Sequence, residues 1–121
     1  MDCIFCKIIN GEIPSKKIYE DELVIVIMDI NPVVDGHLLV IPKKHVNDFT
    51  ELDLELREHV YKVAKELSKE VMEKLDSKGC TFIVNYGDSQ DVKHFHLHIL
   101  PDYRLKEKSM EIDDVYNLLY K

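Results

Sequence analysis

Short runs of β-branched and aliphatic residues, separated by turn-forming residues, predict five β-strands in this chain. The runs cover residues 18–20, 23–28, 37–42, 81–86 and 94–100. Turn signals lie at Glu20-Asp21, Asn31-Pro32 and Asp35-Gly36, where small polar residues, proline and glycine favour chain reversal. The first three strands are therefore expected to form a β-meander.

A helical period dominates the middle of the chain. Apolar residues that recur every three or four positions would share one face of a long amphipathic helix; they are Leu56, Val60, Val63, Leu67, Val71 and Leu75. Thr50 is the predicted N-cap, and Gly79 is the predicted C-terminal stop. A short helical turn is predicted over residues 3–10, and a closing helix over residues 110–120 with Ser109 as its cap. These elements together predict an α+β fold.

Composition and charge narrow the classes of function. At 121 residues the chain is expected to form one domain, residues 1–121, which buries about two thirds of its unfolded surface. The net charge of −7 has the wrong sign for binding a nucleic-acid backbone. No apolar run approaches the roughly eighteen residues of a membrane span, and the N-terminus lacks a secretory signal. We therefore expect a cytoplasmic protein with reduced cysteines and a small-molecule ligand.

The segment from His94 to Leu100 carries the clearest chemical signal, because three histidines alternate with apolar residues. Successive side chains of a strand point to opposite faces, so His94, His96 and His98 are expected to share one face. Imidazole can act as a nucleophile, a general acid or base, or a metal ligand near neutral pH. The row of three histidines therefore predicts a functional site.

A second candidate site involves Cys3 and Cys6, whose Cys-x-x-Cys spacing is by itself a weak metal signal. Together with His45 and His94, the pair would supply four N and S ligands for a tetrahedral structural zinc ion. Two free core thiols beside a non-ligating histidine are one alternative. A redox-active dithiol is another.

Several motifs along residues 3–103 resemble one family. They are Cys3-Ile-Phe-Cys-Lys-Ile-Ile, Gly11-Glu-Ile-Pro, Tyr19-Glu-Asp, Asp29-Ile-Asn-Pro, Gly36-His-Leu-Leu-Val-Ile-Pro-Lys-Lys-His45, Asn85-x-Gly87 and the triad itself. Their sequence and order resemble the Hint-like branch of the histidine triad (HIT) nucleotide hydrolases and transferases. The resemblance implies a five-stranded antiparallel sheet with one long helix and a short C-terminal helix. It also implies a homodimer with a continuous sheet, and a site for purine nucleotides such as AMP or GMP derivatives.

The resemblance assigns roles to the histidines. His96 matches the family's nucleophile, which attacks the α-phosphorus and forms a nucleotidyl-imidazole intermediate. His98 matches the residue on the leaving-group side, where a hydrogen-bond donor helps most as charge develops. His37 matches a fourth active-site histidine; the alternative for His37 is a plain hydrogen-bonded strand residue.

The resemblance also implies a nucleotide pocket. Asp29 matches the carboxylate that binds the ribose hydroxyls, and the residues that match base-lining positions are Phe5, Ile8, Ile27, Ile30 and Leu39. Asn85 and Gln90 resemble polar residues around the phosphates. From the residues alone, a local turn cap for Asp29 and plain core roles for the aliphatic residues are the stronger alternatives. The chain has no glycine-rich phosphate loop and no carboxylate cluster shaped for Mg²⁺, so no catalytic metal is expected.

For the metal, the resemblance implies zinc bound by Cys3, Cys6, His45 and His94, with a structural role. The chain departs from the family pattern between Gly87 and His94, where two residues are missing and Asp91 replaces a hydroxyl residue that faces the phosphate. Altered specificity on the leaving-group side, or low activity, is therefore expected.

Two classes of function follow from these observations. The leading hypothesis is an enzyme that hydrolyses the P–N bond of purine nucleoside phosphoramidates, with dinucleoside polyphosphate hydrolysis as its enzymatic alternative. A nucleotide-binding or interaction module without turnover is the second class. His96 favours the enzyme, and the altered loop keeps the second class open.

Overall fold

The computed structural model describes residues 3–120, which form five strands and three helices. The strands are β1 (Lys17–Glu20), β2 (Val24–Met28), β3 (Leu38–Pro42), β4 (Cys80–Val84) and β5 (Leu97–Pro101), and the helices are α1 (Ile4–Ile9), α2 (Leu54–Leu75) and α3 (Ile112–Tyr120). All strand pairs are antiparallel, in the order β1-β2-β3-β5-β4. This is the fold predicted from the sequence. No helix within residues 3–120 has the length and hydrophobicity to cross a membrane.

The two faces of the sheet carry separate hydrophobic clusters. The larger cluster joins one face to the apolar side of α2 and to α3, through residues such as Val26, Val40, Val63 and Leu97. The smaller one joins the other face to α1, through residues that include Phe5, Ile27, Leu39 and Ile41. Strands β2 and β3 contribute alternate side chains to both clusters, which is why every residue of the two strands is buried.

Helix α2 begins later and ends earlier than the sequence pattern predicts. Its N-cap is Asp53, whose carboxylate accepts a hydrogen bond from the Leu56 N–H group, and the predicted cap Thr50 lies in a preceding 3₁₀ turn. The helix ends at Asp76, which adopts the left-handed conformation with φ of 51°. Gly79 therefore does not end the helix. The structure corrects both assignments because Asp residues can serve as N-caps and can adopt left-handed conformations.

The triad segment enters the sheet later than predicted. Strand β5 starts at Leu97, so His94 and His96 precede it, although the Phe95 N–H group still bonds to the Val46 carbonyl. The buried residues Phe95, Leu97 and Ile99 lie in the larger cluster, as the alternating pattern predicts.

Ser109 does not cap the C-terminal helix. Its backbone N–H and its hydroxyl donate to the Asp35 carboxylate, and α3 starts three residues later. This contact ties the segment before α3 to the loop between β2 and β3.

The sheet register places the site near its centre. His98 on β5 lies opposite Leu39 of β3 and opposite Ile83 of β4. The β2–β3 loop carries Asp29 and His37 at its two ends, and the Asp29 N–H group donates to the His37 carbonyl. Both residues are therefore held beside His98.

Candidate active site and metal-binding cluster

His96 is buried, and its ring has a defined hydrogen-bonding partner on one side. Its Nδ1 atom lies 2.8 Å from the backbone carbonyl oxygen of His94, which can only accept a hydrogen bond. Nδ1 must therefore carry the proton of the neutral ring. The other nitrogen, Nε2, keeps its lone pair, and His96 lines an open cleft.

His98 and His37 form a connected pair with equally defined tautomers. The Val33 N–H group donates to His37 Nδ1 at 3.2 Å, so the His37 proton is on Nε2. That Nε2–H group lies 2.8 Å from Nδ1 of His98 and donates to it. The neutral His98 ring therefore carries its own proton on Nε2, from which it can donate a hydrogen bond to another group.

Burial keeps these imidazoles neutral. Loss of hydration lowers the pKa of His98 to about 4, and the neighbouring His96 and His37 rings act in the same direction. Burial also lowers the pKa of His96 and of His37, against the opposing effect of the Asp29 carboxylate. At neutral pH the site thus offers one unprotonated imidazole nitrogen and one imidazole N–H donor.

The cleft beside His96 and His98 has a volume of about 290 Å³ and a mainly apolar wall. All five predicted base-lining residues line it: Phe5, Ile8, Ile27, Ile30 and Leu39. The Phe5 ring meets the His96 ring edge to face, with ring centroids 4.9 Å apart. A nonpolar wall next to polar reactive groups is typical of a small-molecule site.

Asp29 lines the same cleft and also acts as a local turn residue. Its Oδ1 atom accepts a hydrogen bond from the Asn31 N–H group, while Oδ2 lies 3.5 Å from His37 Nε2. Asp29 therefore does act as the local turn cap that the sequence offered as an alternative, and its side chain also lines the cleft.

The remaining predicted residues lie in different places. Asn85 Nδ2 is 3.5 Å from His98 Nε2, and Asp91 lines the cleft with an exposed side chain. Gln90 is buried instead, and its amide group donates to the backbone carbonyls of Asn47 and Val92. Gln90 thus holds the loop before His94 in place, and it is absent from the residues that line the cleft.

Cys3, Cys6, His45 and His94 converge on one point although they come from three distant parts of the sequence. Their ligand atoms all lie within 4.8 Å of one another. Cys6 Sγ is 3.2 Å from His45 Nδ1, and Cys3 Sγ is 3.4 Å from His94 Nδ1. Tetrahedral zinc, with bonds of about 2.3 Å to sulfur and 2.0 Å to nitrogen, requires S–N separations of about 3.5 Å. The donor set and its spacing therefore fit a metal ion.

The Nε2 atoms of His94 and His45, which lie on the far side of each ring from the cysteines, also have hydrogen-bond partners. His94 Nε2 lies 2.7 Å from the Pro42 carbonyl oxygen, and His45 Nε2 lies 3.0 Å from Asn47 Oδ1. Each pair is a hydrogen bond donated by the ring, so both Nδ1 lone pairs point toward the cysteines. Such partners orient metal-ligating histidines in many proteins.

Sequence reasoning missed several of these supporting groups. The backbone groups of Val33, Pro42 and His94 carry no side-chain signal, so no motif could identify them. Ile4, Ile13 and Val92 also line the cleft, and only their apolar character was visible in the sequence. Asn47 was in principle detectable, because it lies two residues after a candidate metal ligand.

Comparison with known proteins identifies the family of this chain. The HIT domain family matches residues 10–105. An uncharacterised HIT-like protein of Methanocaldococcus jannaschii is 45% identical over 119 residues, covering 96% of this chain and 91% of that protein. The Arabidopsis thaliana adenylylsulfatase HINT3 is 36% identical over 102 residues, covering 83% of this chain and 52% of that protein.

A solved structure extends the match to three dimensions. The crystal structure of a Zn-bound histidine triad family protein from Mycobacterium smegmatis superimposes with a TM-score of 0.89 at 34% identity. The match covers 99% of this chain and 91% of that chain. The family match over most of the sequence and these relatives establish that this chain belongs to the histidine triad (HIT) family.

Proposed function

We propose that this chain hydrolyses the P–N bond of purine nucleoside phosphoramidates through a covalent intermediate on His96. The observation that carries the proposal is the tautomer of His96. Its Nδ1–H group is bound to the His94 carbonyl, its Nε2 keeps a lone pair, and the residue lines a cleft large enough for part of a nucleotide. A neutral imidazole with a free lone pair is ready to act as a nucleophile without losing a proton.

The reaction uses the two neighbouring histidines in different ways. His96 Nε2 attacks the α-phosphorus, a P–N bond forms to the ring, and the P–N bond to the leaving amine breaks. The departing nitrogen takes a proton from a water molecule, while the neutral His98 ring donates a hydrogen bond to it from Nε2, in the tautomer that His37 fixes. The hydroxide left behind is neutralised by the proton that is lost in the hydrolysis step. Water then attacks the nucleotidyl-histidine and releases the nucleoside monophosphate.

The cleft supports binding of the nucleoside part. Its apolar wall, from Phe5 to Leu39, suits the faces of a purine ring. In this proposal the Asp29 carboxylate, which is held by the Asn31 N–H group, accepts hydrogen bonds from the ribose hydroxyls. These contacts do not depend on the leaving group, so they would be shared by several substrates with the same nucleoside.

A second reaction of the same site is supported by the Arabidopsis relative named adenylylsulfatase. The same attack on the α-phosphorus would there expel sulfate, which needs no proton at neutral pH. The P–N reaction makes better use of the His37–His98 pair, because a departing amine nitrogen needs a hydrogen-bond donor more than departing sulfate does.

Turnover assays with purified protein test the proposal. The substrates are adenosine 5′-phosphoramidate, adenylyl sulfate and a diadenosine polyphosphate, each with and without chelator. The variant His96→Ala should lose at least about 10³-fold in kcat while retaining most of its affinity for AMP. His59→Asn is the matched control, because His59 pairs with Asp21 outside the cleft and should leave turnover unchanged.

Trapping under denaturing conditions adds a direct readout. Mass spectrometry should find a nucleotidyl group on His96 in the native protein and none in His96→Ala. Full turnover by His96→Ala, or no turnover of any of the three substrates by the native protein, would refute the proposed enzyme.

We further propose that the metal held by Cys3, Cys6, His45 and His94 is structural zinc. The two thiols and two imidazoles supply the donor set and spacing that zinc prefers. Four protein ligands leave no open position for substrate, which supports a structural role. Zinc there would fix the backbone of His94, whose carbonyl holds the tautomer of His96.

We also propose that two copies of the chain pair through β4, the edge strand next to β5. Phe82 and Val84 of this strand are exposed apolar residues, 38% and 37% accessible. Tyr86, Phe49 and Tyr61 extend the same exposed surface. An uncovered edge strand with apolar neighbours is a template for pairing with a second chain.

A further inference from the structure

The charged side chains that line the catalytic cleft are unusual for a site that binds phosphate. Asp29 and Asp91 both line it, and no lysine or arginine is found among the described residues of its wall. Sites that handle highly anionic substrates normally place basic groups against the charge. The electrostatics of this cleft therefore penalise every additional negative charge on a substrate.

The nearest basic residues along the loop and helix do not change this picture. Lys93 lines a neighbouring cleft, and its ammonium group donates to the Gly87 carbonyl. Lys7 lines that neighbouring cleft as well. Both residues line the neighbouring cleft and not the catalytic one; the two clefts share Ile4, Ile13, Asp91 and Val92.

The two carboxylates of the catalytic cleft are not equivalent. Asp29 is tied into its turn by the Asn31 N–H group and lies beside His37. Asp91 is exposed and lines the same cleft as His96 and His98. Like Asp29, Asp91 opposes the effect of burial on the pKa of both rings. With Asp29 assigned to the ribose hydroxyls, Asp91 is the other carboxylate among the described residues of the cleft wall that can act on a leaving group.

We infer that Asp91 is a specificity-determining residue that favours leaving groups carrying a cationic amine and disfavours anionic ones. This inference rests on the proposed function, since it concerns the group that the reaction expels. An amine with a second, protonated nitrogen would place its positive charge near the carboxylate. Sulfate, phosphate or nucleotide leaving groups would place a negative charge there instead.

The expected size of the effect follows from Coulomb's law. For unit charges about 4 Å apart, the attraction or repulsion would change kcat/KM about fivefold in a water-like medium. At an effective dielectric constant of 20 it would change kcat/KM roughly several hundredfold. The exposure of Asp91 favours the lower part of this range. The preference should therefore weaken when the ionic strength is raised.

The experiment compares the native protein with Asp91→Asn and Asp91→Ser. Asp88→Asn is the matched control, because it removes the same charge from the same loop at a residue outside the cleft. Three adenosine phosphoramidates serve as substrates, with leaving amines that carry an added ammonium, no charge or a carboxylate. The affinity for AMP is measured by calorimetry in parallel.

In Asp91→Asn and Asp91→Ser, kcat/KM should fall about fivefold or more for the cationic leaving group and rise for the anionic one. The affinity for AMP should increase, since repulsion of the phosphate is removed. If Asp91 had only a structural role, its substitution would reduce kcat/KM for both substrates and the affinity for AMP together. Asp88→Asn should behave like the native protein.

Unchanged ratios among the three substrates, with AMP affinity also unchanged, would overturn the inference and leave the proposed hydrolysis standing. Equal changes in Asp88→Asn would overturn it as well, because they would indicate a general charge effect. Absence of turnover for all three substrates would instead refute the proposed function. In that case the AMP measurements still decide whether the Asp91 charge faces the phosphate.

Discussion

At the scale of single residues, the chemistry of this site depends on which imidazole nitrogen carries the proton. The His94 carbonyl determines this for His96, and the Val33 N–H group determines it for His37. His37 in turn determines it for His98. One nitrogen able to attack and one N–H able to donate therefore lie side by side without a charge on either ring.

The buried, neutral state of His98 predicts a dependence of stability on pH. Burial lowers its pKa from 6.5 to about 4, so the unfolded chain binds more protons than the folded chain between these values. The free energy of unfolding should thus fall as the pH drops from 6.5 to 4, by up to about 3 kcal/mol from this group. Above pH 6.5 this contribution is fully present.

Urea unfolding at pH 7.5 and pH 4.5 measures this effect in the native protein and in His98→Asn. The variant should lose less stability between the two pH values than the native protein does. Metal release at low pH would affect both proteins alike and cancels in the comparison. An identical pH dependence in the two proteins would contradict the assignment of a neutral His98.

At the scale of elements, α1 links the metal-binding cluster to the cleft. The helix has only six residues, too few to be stable on its own. Cys3 caps its N-terminus and Cys6 lies within it, while Phe5 and Ile8 form part of the cleft wall. Whatever holds the two cysteines therefore also positions one side of the proposed nucleotide pocket.

Removal of the zinc ligands tests this link. Protein purified without added metal should contain about one zinc per chain, and the double variant Cys3→Ser/Cys6→Ser should contain almost none. Its melting temperature should fall by several degrees, and its activity should fall less than its stability. Cys80→Ser is the control: Cys80 lies outside the cluster, so this variant should keep its zinc. Metal-free native protein of equal thermal stability would disprove a structural role.

The start of α2 provides a second test at this scale. Asp53→Ala removes the carboxylate that accepts from the Leu56 N–H group, and should cost about 1 kcal/mol of stability. Thr50→Ala should cost only a few tenths, because Thr50 is exposed and its hydroxyl bonds to Asp48 in the 3₁₀ turn. Chemical denaturation of the two variants measures the difference. A larger loss of stability in Thr50→Ala than in Asp53→Ala would contradict Asp53 as the N-cap and support Thr50, the cap predicted from the sequence.

At the scale of the whole molecule, the two edge strands of the sheet differ in what packs against them. Helix α3 packs against β1, and the Tyr116 hydroxyl donates to the Lys17 carbonyl of that strand. Strand β4 at the other edge makes its main contacts with β5. Beside it lies an open groove of about 290 Å³ lined by Phe49, Leu52, Arg57, Tyr61, Val84 and Phe95.

The exposed edge predicts a dimer in solution. Light scattering coupled to size-exclusion chromatography should give twice the chain mass for the native protein. Val84→Lys should shift the equilibrium toward monomer, because it places a charge within the apolar edge surface. Leu118→Lys is the control, since Leu118 is 45% exposed on α3, away from β4. A monomeric native protein, or equal dissociation by both variants, would contradict pairing through β4.

The sequence predicted most of the elements because hydrophobic periods are local. The alternation around Phe95 and Leu97 and the helical spacing from Leu56 to Leu75 are visible in a short window. Element ends were less predictable, as Thr50, Gly79 and Ser109 illustrate. Several residue types can cap or terminate a helix, and the choice among them depends on the packing of the chain nearby.

The sequence by itself determined the five strands, the long helix and the chemical character of the triad, because these depend on side-chain type and on near neighbours. Only the tertiary structure decided how distant groups meet: His37 with His98, Cys6 with His45, and Gln90 with the Asn47 carbonyl. The bonds that select each tautomer often involve backbone atoms, which are the same in every residue and leave no trace in a sequence pattern. The tautomer of His96 is therefore a property of the fold, built on residues that the sequence could name.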